Sequence, residues 1–304
     1  MAELLLETEE TAPDLPEGLI PPEFKDDGDT KPVESPQGRG APPSLGPVVL
    51  RERFLIDAGQ PITELDTPSA KAYVAEDRRD LGRQLYGLVC TPGLPVRLNS
   101  IEFLKAHNSY NILPLIDWET VYWPAFEQKT VIVIFARPLG GKLINKLASK
   151  EAKITAYDMP RRIIAPLALA LQRLSDNDLS HRAIRPDNLL FFDESMEEIV
   201  LGPNVTAPAG YDQPMILEPL DRALAQIAGR GTGTSRDDIY ALGVTIVFLL
   251  LGFNPVAKIK DDELLKARLE HGSYTAICGS TRIPMQLIEP LRGMLADDAS
   301  ERWD

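Results

Sequence analysis

The stretch Ile239–Phe253, IYALGVTIVFLLLGF, holds fifteen residues without a single charge. A helix that is apolar on every side must be enclosed by other elements. Fifteen residues fall short of the roughly 20 that cross a bilayer. The run therefore reads as a buried core helix with further helices packed around it. Candidates flank it on both sides. Upstream, MPRRIIAPLALALQRLSDND carries apolar residues at helical spacing from Ile163 to Leu174. Its interior Pro166 lacks a backbone donor, so it should bend the helix or lie near its first turn. Downstream come DDELLKARLEHG and PMQLIEPLRGMLADD. ALAQIAGRG suggests one more inserted helix.

The preceding 90 residues follow a different period. VVLRERFLIDAG and AKAYVAEDRR read as strands, LYGLVC as a short buried strand, and ILPLIDWETVYWP and KTVIVIFARP as two more, the last strongly β-branched. Between them LNSIEFLKAHN reads as a helix, with Ser100 as cap and Ile101 and Leu104 on one face. Five strands and one helix before Gly140-Gly141, and helices after it, give an α+β chain with a small β-rich lobe (47–139) and a larger helical lobe (140–304).

Residues 1–46 stand apart. They hold eight prolines, and eleven acidic residues against three basic ones, a net charge of −8 out of −13 for the chain. Such a segment buries too little apolar surface to offset its ordering entropy and is expected to be a disordered tail. A strongly acidic chain repels nucleic acid and anionic lipid, which argues against both as partners of this segment. Two cysteines form no disulfide framework or metal pattern, and no secretory signal opens the chain. A reducing, cytoplasmic setting is the expectation.

The stretch LSHRAIRPDNLLFF, Leu179–Phe192, resembles the catalytic loop of eukaryotic-like Ser/Thr protein kinases, H-R-D-x-K-x-x-N. His181, Arg182 and Asn188 match the first, second and last positions. DDIYALG resembles the family's Asp-x-x-x-x-Gly, with Asp238 and Gly243 in those roles. ERWD resembles the signature near the end of the fold, with Arg302 as the buried arginine paired to Glu218 or Asp221. FARPLGGKL resembles the hinge, with Phe135 as gatekeeper. The resemblance implies a two-lobed kinase-like fold over about residues 47–304, ending at Asp304 before the last helix such a fold carries. A membrane anchor or another domain could lie beyond.

The same resemblance identifies what is missing. Ala183 stands where the family's catalytic aspartate stands, and a methyl group accepts no proton. Gly202 falls at the position of the magnesium-binding aspartate, and magnesium wants carboxylate oxygens. Val89 replaces the lysine that grips the phosphates. ELDTPSAKAY replaces the glycine-rich loop, and its Glu64 and Asp66 would repel a nucleotide. Arg185 replaces the loop lysine with a different donor geometry. Loss of one transition-state contact costs about 3–4 kcal/mol. Four losses together imply a pseudokinase: no enzyme, no cofactor, no metal.

His181, Arg182, Asn188, Asp238, Gly243 and Arg302 are then expected to serve structure. Asp238 should accept backbone amides of the loop. The degenerate activation segment, 202–233, points to a protein partner such as a kinase or phosphatase, with Tyr211, Met215 and Ile216 as a candidate apolar anchor. That segment also looks closer to bacterial kinase-like domains than to animal ones. The competing reading is an atypical enzyme on the same fold, for nucleotidyl or other transfer, with relocated catalytic residues.

Overall fold

The computed structural model describes residues 46–279 and 281–303. The expected disordered tail, all but Gly46, lies outside the described residues. The small lobe is one antiparallel sheet of β1 (Val48–Leu50), β2 (Phe54–Pro61), β3 (Ala70–Asp77), β4 (Leu85–Cys90), β5 (Leu115–Trp123) and β6 (Gln128–Ala136), in the order β1-β2-β3-β4-β6-β5. It has six strands where five were expected. VVLRERFLIDAG is cut into two, because Arg51 and Glu52 take left-handed φ values of 50° and 54° and turn the chain back on itself. The Arg51 amide donates to Glu119 Oε2 on β5 (2.8 Å), so the two edges of the sheet curl toward each other.

That curl encloses Leu50, Phe54, Ile56, Val89, Trp123 and Ile134 on one face. The other face meets α1 (Leu98–Ala106) through Ile101 and Leu104, and is continuous with the core of the large lobe. Ser100 does not cap α1. The helix starts at Leu98, behind Arg97, and Ser100 is buried inside its first turn.

The large lobe contains β7 (Gly141–Lys142), α2 (Leu143–Ala148), α3 (Ala165–Ser175), β8 (Leu189–Phe191), β9 (Ile199–Leu201), α4 (Leu220–Ala223), α5 (Ser235–Leu251), α6 (Asp261–His271), α7 (Ser273–Cys278) and α8 (Met285–Met294). Pro166 sits in the first turn of α3, as its missing donor requires. The turn before it, Pro160–Ile164, widens into a π-helix. The apolar run becomes α5, buried from Asp237 to Leu249. It opens on a reciprocal capping box between Thr234 and Asp237. Gly243 lets α8 approach: a Cβ there would lie 2.9 Å from Met294 Cβ. The helix expected in ALAQIAGRG is reduced to a 3₁₀ turn, Ile227–Gly229, behind the four-residue α4.

Candidate functional site

The loop 181–188 is held in place from below. Asp238, on the first turn of α5, accepts two successive amides, from His181 (2.5 Å) and Arg182 (2.7 Å). Arg182 needs this support because its φ is +60°. Burial pushes the Asp238 carboxyl up to about 6, against the pull of those amides and of Arg182. The His181 ring is fully buried with Nε2 at 3.2 Å from the Gly202 carbonyl. Burial, then the nearby Arg97 guanidinium, push it down to about 3, so it is neutral.

The Arg182 guanidinium is spent on carboxylates of its own chain. Its Nη2 lies 2.9 Å from Glu218 Oε2, and Nη1 lies 3.4 Å from Asp237. Burial lifts the Glu218 carboxyl to about 7, against the pull of Arg182 and Arg230. Arg302 pairs with neither Glu218 nor Asp221. Its Nη1 is 3.6 Å from Asp237, and it donates to the carbonyls of Ala296, Asp297 and Arg236. Arg182 and Arg268 already crowd Glu218, the second donating to its carbonyl at 2.9 Å, and leave no place there for Arg302.

Asn188 is equally committed. Its amide donates to the carbonyls of Ala183 (2.8 Å) and Pro203 (3.1 Å). The Gly202 amide donates to the Asn188 carbonyl (2.8 Å), and a Cβ on Gly202 would overlap the Asn188 side chain. A side chain at 202 has no room beside this asparagine. Arg185 is turned onto Asp187 (3.0 Å) and the Asp212 carbonyl (2.8 Å).

Strand alternation revises one position. Val89 faces the curled interior of the small lobe, away from the cleft. The side chains of β4 that face the cleft side are Tyr86, Leu88 and Cys90. None of these three side chains carries a positive charge, so β4 offers no cation to the cleft side. Tyr86 stacks on Phe135 with ring centroids 5.8 Å apart and lines a small cavity beside the loop 181–188. Ile62, just ahead of the 3₁₀ turn Thr63–Leu65, and Leu65 within it join the same core.

A cavity bounded by Leu65, Asp66, Tyr86, Lys142, Asp187 and Asn188 among others measures about 10 Å³. That is room for one water. Two carboxylates face it, and each has a cation: Asp66 has Lys71 (2.8 Å) and also accepts the Ala72 amide, and Asp187 has Arg185. Among the described residues no three His, Cys, Asp or Glu side chains form a metal-binding group.

Two contacts that sequence reasoning missed shut the lobes together. Arg97, ahead of α1, donates to the carbonyls of Ser180 (2.6 Å), His181 (2.7 Å) and Asn204 (3.0 Å). Over the cleft, Ser69 Oγ lies 2.8 Å from Thr206 Oγ1 and donates to Asp212 Oδ2 (2.6 Å). No motif flags either cluster. The only signal was an arginine with no partner nearby in sequence. Of the expected apolar anchor, Tyr211 is half-exposed and Met215 partly so, but Ile216 is buried in the core and cannot meet a partner.

No protein-family model matches the chain. Among curated proteins it is similar to calcium/calmodulin-dependent protein kinase type 1 of Caenorhabditis briggsae, 24% identical over 227 residues that cover 67% of this chain and 57% of that protein. It is also similar to the MAP kinase-interacting serine/threonine-protein kinase mnk-1 of Caenorhabditis elegans, 23% identical over 191 residues, 55% of this chain and 25% of that one. Among solved structures, Rad53 1-466 in complex with AMP-PNP matches with a TM-score of 0.61 and 18% identity, over 82% of this chain and 62% of that one. The chain spans less than two thirds of each of these proteins. The fold is protein-kinase-like, with a β-rich small lobe and a helical large lobe.

Proposed function

We propose that this chain is a kinase-fold protein that transfers no phosphate and works as a protein-binding or regulatory scaffold, with a kinase or phosphatase as the first partners to test. The observation that carries this reading is the closed cleft. Ligand sites of small molecules occupy roughly 300–1,000 Å³, against about 10 Å³ in the cavity beside Tyr86 and Asn188. Tyr86, Leu65 and Ile62 fill the space from above, and the Arg97 and Ser69 contacts hold it shut.

The chemistry supports the same reading. Phosphoryl transfer is positioning plus charge neutralisation. Ala183 offers no base, β4 no cation, and Gly202 no carboxylate. Among the described residues no helix is long and apolar enough to cross a membrane. A cytoplasmic setting rests on the cysteine usage, and a bacterial source on the activation segment alone.

One observation favours the second reading, an atypical transferase: Asp66 and Asp187 both face the cavity. Incubation with γ-labelled and, separately, α-labelled ATP in the presence of Mg²⁺ or Mn²⁺ tests both. Neither label should appear on the chain or on an acceptor protein. A transferred γ-label overturns the proposal, and a transferred α-label replaces it with the second reading.

A further inference from the structure

The corner that leads from β2 into β3 reaches down to the large lobe and is held there by hydroxyl groups. Ser69 is fully buried. Its Oγ lies 2.8 Å from Thr206 Oγ1 and donates to Asp212 Oδ2 at 2.6 Å. Thr67 Oγ1 adds a longer contact to Thr206 Oγ1, 3.4 Å. Among the described residues, the other carboxylate oxygen of Asp212 is buried without a hydrogen-bond partner. Ser69 thus supplies the hydrogen bond that this carboxylate receives.

The two sides of the contact differ in how firmly they are held. On the large lobe, Arg185 donates to the Asp212 carbonyl (2.8 Å) and Gln213 to the Ile184 carbonyl (3.0 Å). Asn204 donates to the His181 carbonyl (3.2 Å). The segment 204–213 is a fixed post. On the small lobe, the ladder behind the corner is broken. β2 and β3 pair at Ile56 with Ala75 and next at Pro61 with Tyr73, so residues 57–60 stand against Val74 alone. Asp57 accepts from the Gly59 amide (2.8 Å) and the Gln60 side chain (2.6 Å), so the bulge closes on itself. Such a bulge bends the strand and interrupts pairing. Beyond it the corner is compact: the Leu65 amide donates to the Ile62 carbonyl (2.9 Å), and the Ala72 amide to Asp66 (2.9 Å). A compact corner, a broken ladder behind it and a post in front of it are the parts of a hinged lid.

We propose that residues 61–69 form a lid over the cleft side of β4, and that the contact of Ser69 with Thr206 and Asp212 is the latch that holds it shut. The lid carries Ile62 and Leu65 into the core that also holds Tyr86, Leu88 and Cys90. Opening it uncovers these β4 side chains and widens the cavity beside Tyr86. Entry of anything larger than a water is therefore conditional on breaking the latch. The latch presupposes the closed cleft of the proposed function, but its test uses no nucleotide, so the two can fail separately.

Cys90 is a built-in reporter. It pairs with Ala70 across the ladder and is buried, and burial pushes its thiol up to about 12, so it reacts only when uncovered. Cys278, buried in α7 of the large lobe, is the control. The chain is treated with N-ethylmaleimide, and labelling of each cysteine is followed by mass spectrometry of its peptide. Ser69→Ala removes the donor and Asp212→Ala the acceptor. Each should label Cys90 about tenfold faster than the parent and leave Cys278 unchanged. Both changes break the same bond, so the double variant should label Cys90 no faster than the faster single one. Unchanged Cys90 labelling in either single variant overturns the proposal. Equal acceleration at both cysteines also overturns it, as general loosening. So do rates that multiply in the double variant, since the two residues then act apart.

Discussion

Arg182 and Glu218 form a buried ion pair: Nη2 lies 2.9 Å from one carboxylate oxygen and 3.0 Å from the other. The arginine beside a would-be catalytic base thus finds its counter-charge in the same chain, and the segment 202–233 is anchored without any added group. A buried pair costs most when one half is removed. Arg182→Leu is expected to lower stability by about 3–5 kcal/mol in urea unfolding. Arg182→Leu with Glu218→Leu should lose clearly less than the sum of the single variants. Additive losses would show that the two do not act as a pair.

The neutral His181 ring provides a pH signature. Its folded value lies near 3, below the ordinary histidine range, so the folded chain binds fewer protons than the unfolded one between that value and about 6.5. The stabilisation from this group is complete above about pH 6.5 and is lost as pH falls toward 3, at about 1.4 kcal/mol per pH unit. In an NMR titration from about pH 8 to about pH 5, the His181 ring resonances should not move. A midpoint inside that range would contradict the buried, neutral ring.

Arg97 serves three carbonyls of the loop below it, and α1 begins immediately after it. Removing a donor from buried acceptors costs about 1–3 kcal/mol. Arg97→Met should therefore destabilise the chain by at least that much and raise hydrogen exchange in α1 more than in β8 or β9. Equal exchange in all three would mean that Arg97 does not join the lobes.

Restoring the missing carboxylate should fail. The space beside Gly202 belongs to Asn188, which holds the carbonyls of Ala183 and Pro203. Gly202→Asp overpacks a closed site, a change that costs about 1–3 kcal/mol. The variant should melt lower than the parent and gain no stability on adding Mg²⁺. A Mg²⁺-dependent rise in melting temperature would show that the pocket still seats the ion.

Much of this was legible in the residues. The apolar run at 239–253 could only be a central helix, and Asp238 was expected on the amides of the loop, where it lies. Positive φ at Arg51 and Glu52 was not legible, since neither residue type favours it, and so one strand became two. The facing of β4 was not legible: Val89 was expected toward the cleft and points into the curled interior of the small lobe instead. LYGLVC is buried on both faces, and without alternation nothing marks which side chains face the cleft. The partners of Arg302 and Arg97 escaped for another reason: they depend on contacts between residues far apart in sequence, which no local pattern encodes.

Titration calorimetry of the chain with ATP and Mg²⁺ bears most directly on the closed cleft. With Tyr86, Ile62 and Leu65 packed into the core beside the small cavity, no binding heat is expected at millimolar ATP, on the order of the weakest affinities such an experiment resolves. Saturable binding at micromolar concentration, with an ordered nucleotide and cation beside Asn188, would contradict it.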